Sequence, residues 1–280
     1  MLVAHLNALE DRLLGRWRQL QAADTAEAAR AQALLTALRQ EMLEPLMGAE
    51  WLLAAGEVIA SNSLPDQPRP QLDVLLCQRH APRLVTDPPG EGVQVLAEAV
   101  VTALTVVSVL DEAAVQRAVR SACQLKALPR HVLRVAWVDD GRIGRGLPAI
   151  PCQLLAFDGP ADMAVAHGWL KQAYKDQGLT EADLPPLGAE RQRVASPGLD
   201  GVFVLGRGFL NFDNQPAGFF DDEARITGFG SCWAIANSER GALMSLYLQL
   251  QQAANAAAGN RWDIRPYLDH FAVGELRLGN

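Results

Sequence analysis

Lysine is nearly missing from this chain. Of the 25 basic residues among 280, three are lysines (Lys126, Lys171 and Lys175) and the remaining 22 are arginines. Cysteine is scarce as well. Cys77, Cys123, Cys152 and Cys232 lie far apart and form no C-x-x-C pair. That excludes zinc knuckles, redox dithiols and a disulfide framework, and leaves each thiol as a small apolar residue suited to a reducing, cytoplasmic setting. The five histidines, His5, His80, His131, His167 and His270, show no H-x-H or H-x-x-x-H spacing, so a zinc site is not expected. Positive charge of the whole is also lacking. With a net charge of -7 there is no general basic field to hold nucleic acid, and any phosphate contact needs a local cationic patch. No apolar run is long enough for a membrane span: residues 93–110 come nearest, but Gln94 and Glu98 interrupt them. The first residues lack a basic stretch leading into an apolar one, so no signal peptide is expected.

What is present is an ordinary soluble composition, 49% hydrophobic and 20% charged, ample for a buried core and unlike disordered, collagenous or coiled-coil chains. Residues 6–47 carry helical spacing, with Leu34, Leu35, Leu38, Met42 and Leu46 on one stripe and a break near residues 22–25, where Asp24 or Thr25 caps the second helix. Strand-like runs follow at residues 51–60 and 71–77. The β-branched run 93–109 reads as one long strand, or as a strand and its continuation. An amphipathic helix capped by Ser108 or Asp111 carries Val115, Ala118, Val119, Ala122 and Leu125 and ends at Pro129. Beyond it the pattern gives strands at 131–138 and 152–157, a helix at 163–177, a hairpin at 201–212 and a last helix at 241–258. This order predicts an α/β fold in one domain, a central mixed β-sheet flanked by helices. Residues 1–50 form N-terminal helices, 51–138 the core, and 139–280 the later strands and helices.

Two acids stand out because each sits inside an apolar run: Asp73 in Gln71-Leu72-Asp73-Val74-Leu75-Leu76 and Glu98 in Val95-Leu96-Ala97-Glu98-Ala99-Val100. A buried carboxylate without a partner costs several kcal/mol, on the order of the penalty for removing an ion from water. On neighbouring strands the two could share a hard cation such as Mg²⁺ through oxygen ligands. The alternative is that each lies solvated at a strand end or is paired with an arginine. Other motifs read as structure: Ser231 lacks a nucleophile elbow, the Gly144–Gly146 and Gly206–Gly208 segments are turns, and Trp51, Trp137, Trp169, Trp233 and Trp262 are core or interface anchors.

The run Ala55-Gly56-Glu57-Val58-Ile59-Ala60, the Gln71–Leu76 strand, Glu98 and the helix after it resemble the PD-(D/E)XK, or restriction-endonuclease-like, arrangement. More narrowly the chain is similar to a bacterial branch of that superfamily of unassigned function, in which a Gln-apolar-Asp strand precedes a Glu-x-Lys strand. The likeness continues through Pro197-Gly198-Leu199-Asp200-Gly201 to Pro266-Tyr267-Leu268. It implies a restriction-endonuclease-like core, descent from metal-dependent phosphodiester hydrolysis, and a setting in bacterial defence. It assigns Asp73 and Glu98 to catalysis and to Mg²⁺; Gln71 and Arg134 are the candidate substrate contacts beside them. It also exposes a departure. The lysine expected two residues after the glutamate is Val100 here, and a shift of one residue gives Val101. Valine can neither orient the attacking water nor stabilise charge, a loss of about 3–6 kcal/mol in the transition state by analogy with other key electrostatic groups.

Three functions follow as expectations. The first is a nuclease-like protein with an incomplete site that binds nucleic acid or a protein partner. The second is an active Mg²⁺-dependent nuclease in which Lys126 or Arg134 replaces the missing lysine. The third is a structural subunit that assembles with itself or with a larger partner.

Overall fold

The computed structural model describes residues 1–64, 67–85, 93–131, 138–139, 142–143, 149–181, 183–185, 194–213, 232–258, 263 and 265–268. Helix α1 (Leu2–Ala22) turns back at Asp24, whose φ of 49° is left-handed, into α2 (Glu27–Leu38). The break falls where the sequence placed it. The cap does not: Ala26 occupies that position, and neither Asp24 nor Thr25 caps. A π-turn (Arg39–Leu43) and a short α3 (Glu44–Leu46) then deliver the chain to the sheet.

Strands β1 (Trp51–Ile59), β2 (Leu72–Gln78), β3 (Arg83–Val85), β4 (Val93–Leu96), β5 (Val100–Val109), β8 (Cys152–Asp158), β9 (Gly201–Val204), β10 (Gly208–Phe212) and β11 (Trp233–Asn237) build one nine-stranded mixed sheet. Its order is β11-β10-β9-β8-β5-β2-β1-β4-β3. The short pair β6 (Val138–Asp139) and β7 (Arg142–Ile143) stands apart. Helices α4 (Glu112–Lys126) and α5 (Met163–Asp176) are the crossovers that make β5-β8-β9 parallel, and they bury Val115, Val119, Leu170 and Tyr174 on one face of the sheet. Asp111, not Ser108, caps α4 by accepting the Ala114 N–H at 2.7 Å. On the opposite face α1, α2 and α6 (Ala242–Ala257) bury Leu9, Leu13, Leu34, Leu38, Leu243 and Leu246 against Val74, Leu104 and Leu155. The sheet is thus apolar on both sides, which is why its central strands read as unbroken hydrophobic runs.

The run 93–109 is divided. β4 pairs with β1 in parallel, while β5 lies between β2 and β8. The chain must cross from one neighbourhood to the other, and a 3₁₀ turn at Ala97–Ala99 makes the crossing. Glu98 therefore sits in a buried turn, not in a strand.

A buried acid also ties the helical layer to the sheet. Glu10 of α1 accepts the Gly206 N–H of the β9–β10 turn at 3.2 Å, and the Gly241 and Leu243 N–H groups at the start of α6 at 3.1 and 3.3 Å. Burial raises its pKa from the ordinary 4.5, against the lowering by those backbone donors. A raised folded-state pKa contributes stability that is present below pH 4.5 and lost as pH climbs through the folded value. Chemical denaturation of wild type and Glu10→Gln across pH 4–7 should accordingly show the difference shifting steadily in favour of the glutamine variant as pH rises. A flat difference, or one of opposite slope, would contradict this role.

Candidate functional site

The site expected at Asp73 begins with an irregularity in β1 and β2. Ala54 lies opposite Leu75 but Gly56 lies opposite Leu72, so β2 carries one extra residue around Asp73 and Val74. Gly56 permits this. Its φ of 140° is strained for any side chain, and a Cβ there would run into the Val93 main chain of β4. The β2–β5 pairing runs no further than Val74↔Leu104, and beyond it the Val106 N–H needs an acceptor. Asp73 supplies it, accepting that N–H through Oδ2 at 2.9 Å. Asp73 is half-buried, and burial raises its pKa, opposed by the Val106 hydrogen bond.

Extending the β2–β5 register by one residue from Val74↔Leu104 sets Asp73 level with Thr105. Around that level β5 reads Ala103-Leu104-Thr105-Val106-Val107, with neither a carboxylate nor a cation on either face. Glu98 is elsewhere. The strand from Thr105 back to Val100, where the Glu98 turn ends, spans roughly 16 Å. Among the described residues the two acids share no partner. Glu98 is buried, 3% exposed, and accepts the His131 N–H through Oε1 at 3.0 Å and the Tyr267 hydroxyl through Oε2 at 2.6 Å. The Arg130 guanidinium beside it donates to the carbonyls of Ala97 and Val100. Burial lowers the Arg130 pKa to about 10, with Glu98 acting in the opposite sense. Burial, and then the bond to Glu98, raise that of Tyr267. Glu98 thus fastens the β4–β5 turn to the segment after α4 and to the 3₁₀ turn Arg265–Leu268.

The remaining expected residues divide similarly. Gln71 donates to Glu57 at 3.0 Å, in a polar cluster that Gln94 and Arg69 complete from 3.1 and 3.4 Å. Arg134 lies outside the described residues. Lys126 is taken up elsewhere, donating to the Ser196 carbonyl at 2.7 Å and to Asp200 at 2.6 Å. An acid that the sequence analysis did not single out also comes to this end of β5. Glu27, at the start of α2, accepts the Ser108 hydroxyl at 3.2 Å, two residues along from Val106.

The donor set around Asp73 is short for Mg²⁺, which wants ionised carboxylates beside several waters. One oxygen of Asp73 is already spent on the main chain, and its burial favours the neutral form. Among the described residues no group of three or more His, Cys, Asp and Glu side chains could hold a metal ion.

No protein-family model and no curated protein matches the chain. Solved structures do. NucC of P. aeruginosa ATCC27853 in its cAAA-bound form superimposes with a TM-score of 0.65 at 16% identity, over 95% of this chain and 96% of that one. NucC of E. coli MS115-1 gives 0.65 at 18% identity in its cAAA-bound form, over 95% and 96% of the two chains. Its apo form gives 0.59 at 18%, over 95% and 97%. The likeness is one of fold, and it supports the restriction-endonuclease-like architecture expected from the sequence. Among the described residues no helix is long and apolar enough to cross a membrane.

The two acids should respond differently to substitution. Glu98→Ala removes the carboxylate beside a buried guanidinium and strips two donors of their acceptor, for a loss of about 3–5 kcal/mol in denaturant unfolding. Asp73→Asn keeps an acceptor for Val106 and should cost under about 1 kcal/mol. Added Mg²⁺ should leave the melting temperatures of wild type and Asp73→Asn equally unmoved. A Mg²⁺-dependent rise in wild type alone would make Asp73 a metal ligand.

Proposed function

We propose that this chain is a nuclease-like protein whose hydrolytic site is incomplete, and that it acts by binding a nucleic acid or a protein partner, not by cutting. Bacterial defence and the cytoplasm are part of the proposal, as the resemblance to the restriction-endonuclease-like branch implies. The observation that carries it is the surroundings of Asp73: a carboxylate committed to the Val106 N–H, beside a strand that offers no second acid and no lysine from Ala103 to Val107.

Phosphodiester hydrolysis needs a positioned water, a group to take or hold its proton, and positive charge where the pentacovalent phosphorus develops negative charge. A bound Mg²⁺ would supply much of that charge. At this level Asp73 offers an oxygen without a hydrogen bond among the described residues, Thr105 a hydroxyl and Val106 an apolar side chain. Lys126, the relocated base of the competing reading, is held by Asp200 and Ser196. Losing one key electrostatic group costs about 10²–10³ in rate, and two such groups are missing at this level.

Incubation of purified protein with supercoiled plasmid, single-stranded DNA and RNA, in Mg²⁺ or Mn²⁺, should give no cleavage above that of Asp73→Ala. Metal-dependent cutting by wild type that Asp73→Ala abolishes would overturn the proposal and restore the active-nuclease reading.

A further inference from the structure

The chain is acidic overall, yet α4 and α5 gather their cations. These helices pack side by side on one face of the sheet, as consecutive parallel crossovers. α4 exposes Arg117 and Arg120, three residues apart and so on one side of the helix, and α5 exposes Lys171 and Lys175, one turn apart. After Glu112 in its first turn, α4 carries no acid as far as Lys126. On α5 the only acid is Asp176 in the last residue, which takes a hydrogen bond from Gln172 at 2.7 Å, and Asp162 caps its far end. Glu181, just beyond, faces inward to the Trp233 indole N–H at 2.7 Å.

None of the four cations makes an ion pair among the described residues. Several surface arginines elsewhere do, Arg12 and Arg16 with Glu41, Arg207 with Asp158 and Arg240 with Asp11, while the exposed Arg18, Arg79 and Arg83 make none among the described residues. Two of the three lysines in the chain are in this group. What sets the four apart is their place: exposed cations on two helices that pack side by side, with little acid on either helix between its ends. Helix axes of this kind lie about 8–10 Å apart, so the four charges cover a broad face, not a point. That suits an extended, repeating polyanion better than a single carboxylate.

We propose that the outer face of α4 and α5 binds the sugar-phosphate backbone of duplex nucleic acid without regard to sequence, through Arg117, Arg120, Lys171 and Lys175. The choice of nucleic acid over other polyanions rests on the nuclease-like reading above. Each phosphate contact releases condensed counterions, so four contacts give a slope of log affinity against log salt of about -3.6.

Fluorescence anisotropy of a labelled mixed-sequence duplex, titrated with the full chain over a salt series, tests this. Wild type should bind at low salt with a slope of about -3 to -4, and Arg120→Ala/Lys171→Ala should flatten it by about 2. Arg16→Ala/Arg240→Ala removes the same formal charge from paired positions and should bind like wild type. All these residues are exposed, and unchanged thermal unfolding checks that the fold is kept. No duplex binding at low salt, an unchanged slope in the patch variant, or displacement of the duplex by polyglutamate at equal charge would each overturn the proposal. The last result would identify an acidic protein as the partner. Cleavage of the duplex would defeat the incomplete-site reading and leave this surface standing, while failure to bind would remove the surface and leave that reading intact.

Discussion

A buried main-chain N–H must have an acceptor, and the central part of this molecule is arranged around one such group. β5 is flanked by strands on both edges, Val106 is 9% exposed, and the last β2–β5 pair is Val74↔Leu104, so the Val106 N–H is left to a side-chain acceptor. Leaving it unpaired would cost about 1–3 kcal/mol. Asp73 fills the place that a β2 carbonyl would hold in a regular ladder. The consequence reaches function directly. A carboxylate bound to its own sheet has less to offer an ion or a water, and the strand beside it supplies neither a second acid nor a base.

The same use of acids recurs. Glu10 gathers the N–H groups of Gly206, Gly241 and Leu243, and Glu98 takes that of His131. Asp200 accepts from Cys152 at 2.7 Å and from Ser196 at 3.1 Å while holding Lys126. Each joins segments distant in sequence, and each braces backbone N–H groups that would otherwise lack an acceptor. Against that interior, the exposed cations of α4 and α5, without an ion pair among the described residues, are charges turned to the outside.

Much of the architecture was legible because the periodicities are clean. The stripe of α4, the β9–β10 hairpin across its Gly-Arg-Gly turn and the apolar run of β2 each appear close to where the residues placed them. Glu98 was not legible as a turn. Ala97 and Ala99 flank it without a glycine or proline, and the β-branched residues on both sides read as continuous strand. Only the need to pass from the β1 side of the sheet to the β2 side breaks that run. Asp73 was visible as an acid in an apolar strand, but its partner was not. That partner is a main-chain group 33 residues away, beyond the last β2–β5 pair. Glu27 was similarly obscure, since its meeting with Ser108 depends on how α2 lies across β5.

The central claim is that the Asp73 carboxylate serves the sheet and not a metal. Selective ¹³C labelling of aspartate, with the Asp73 carboxyl assigned by its loss in Asp73→Asn, reads its titration directly. The account predicts a pKa above the ordinary 3.8, the same with and without Mg²⁺. A value that falls below 3.8 when Mg²⁺ is added would contradict it, because only a coordinated cation would draw the proton off.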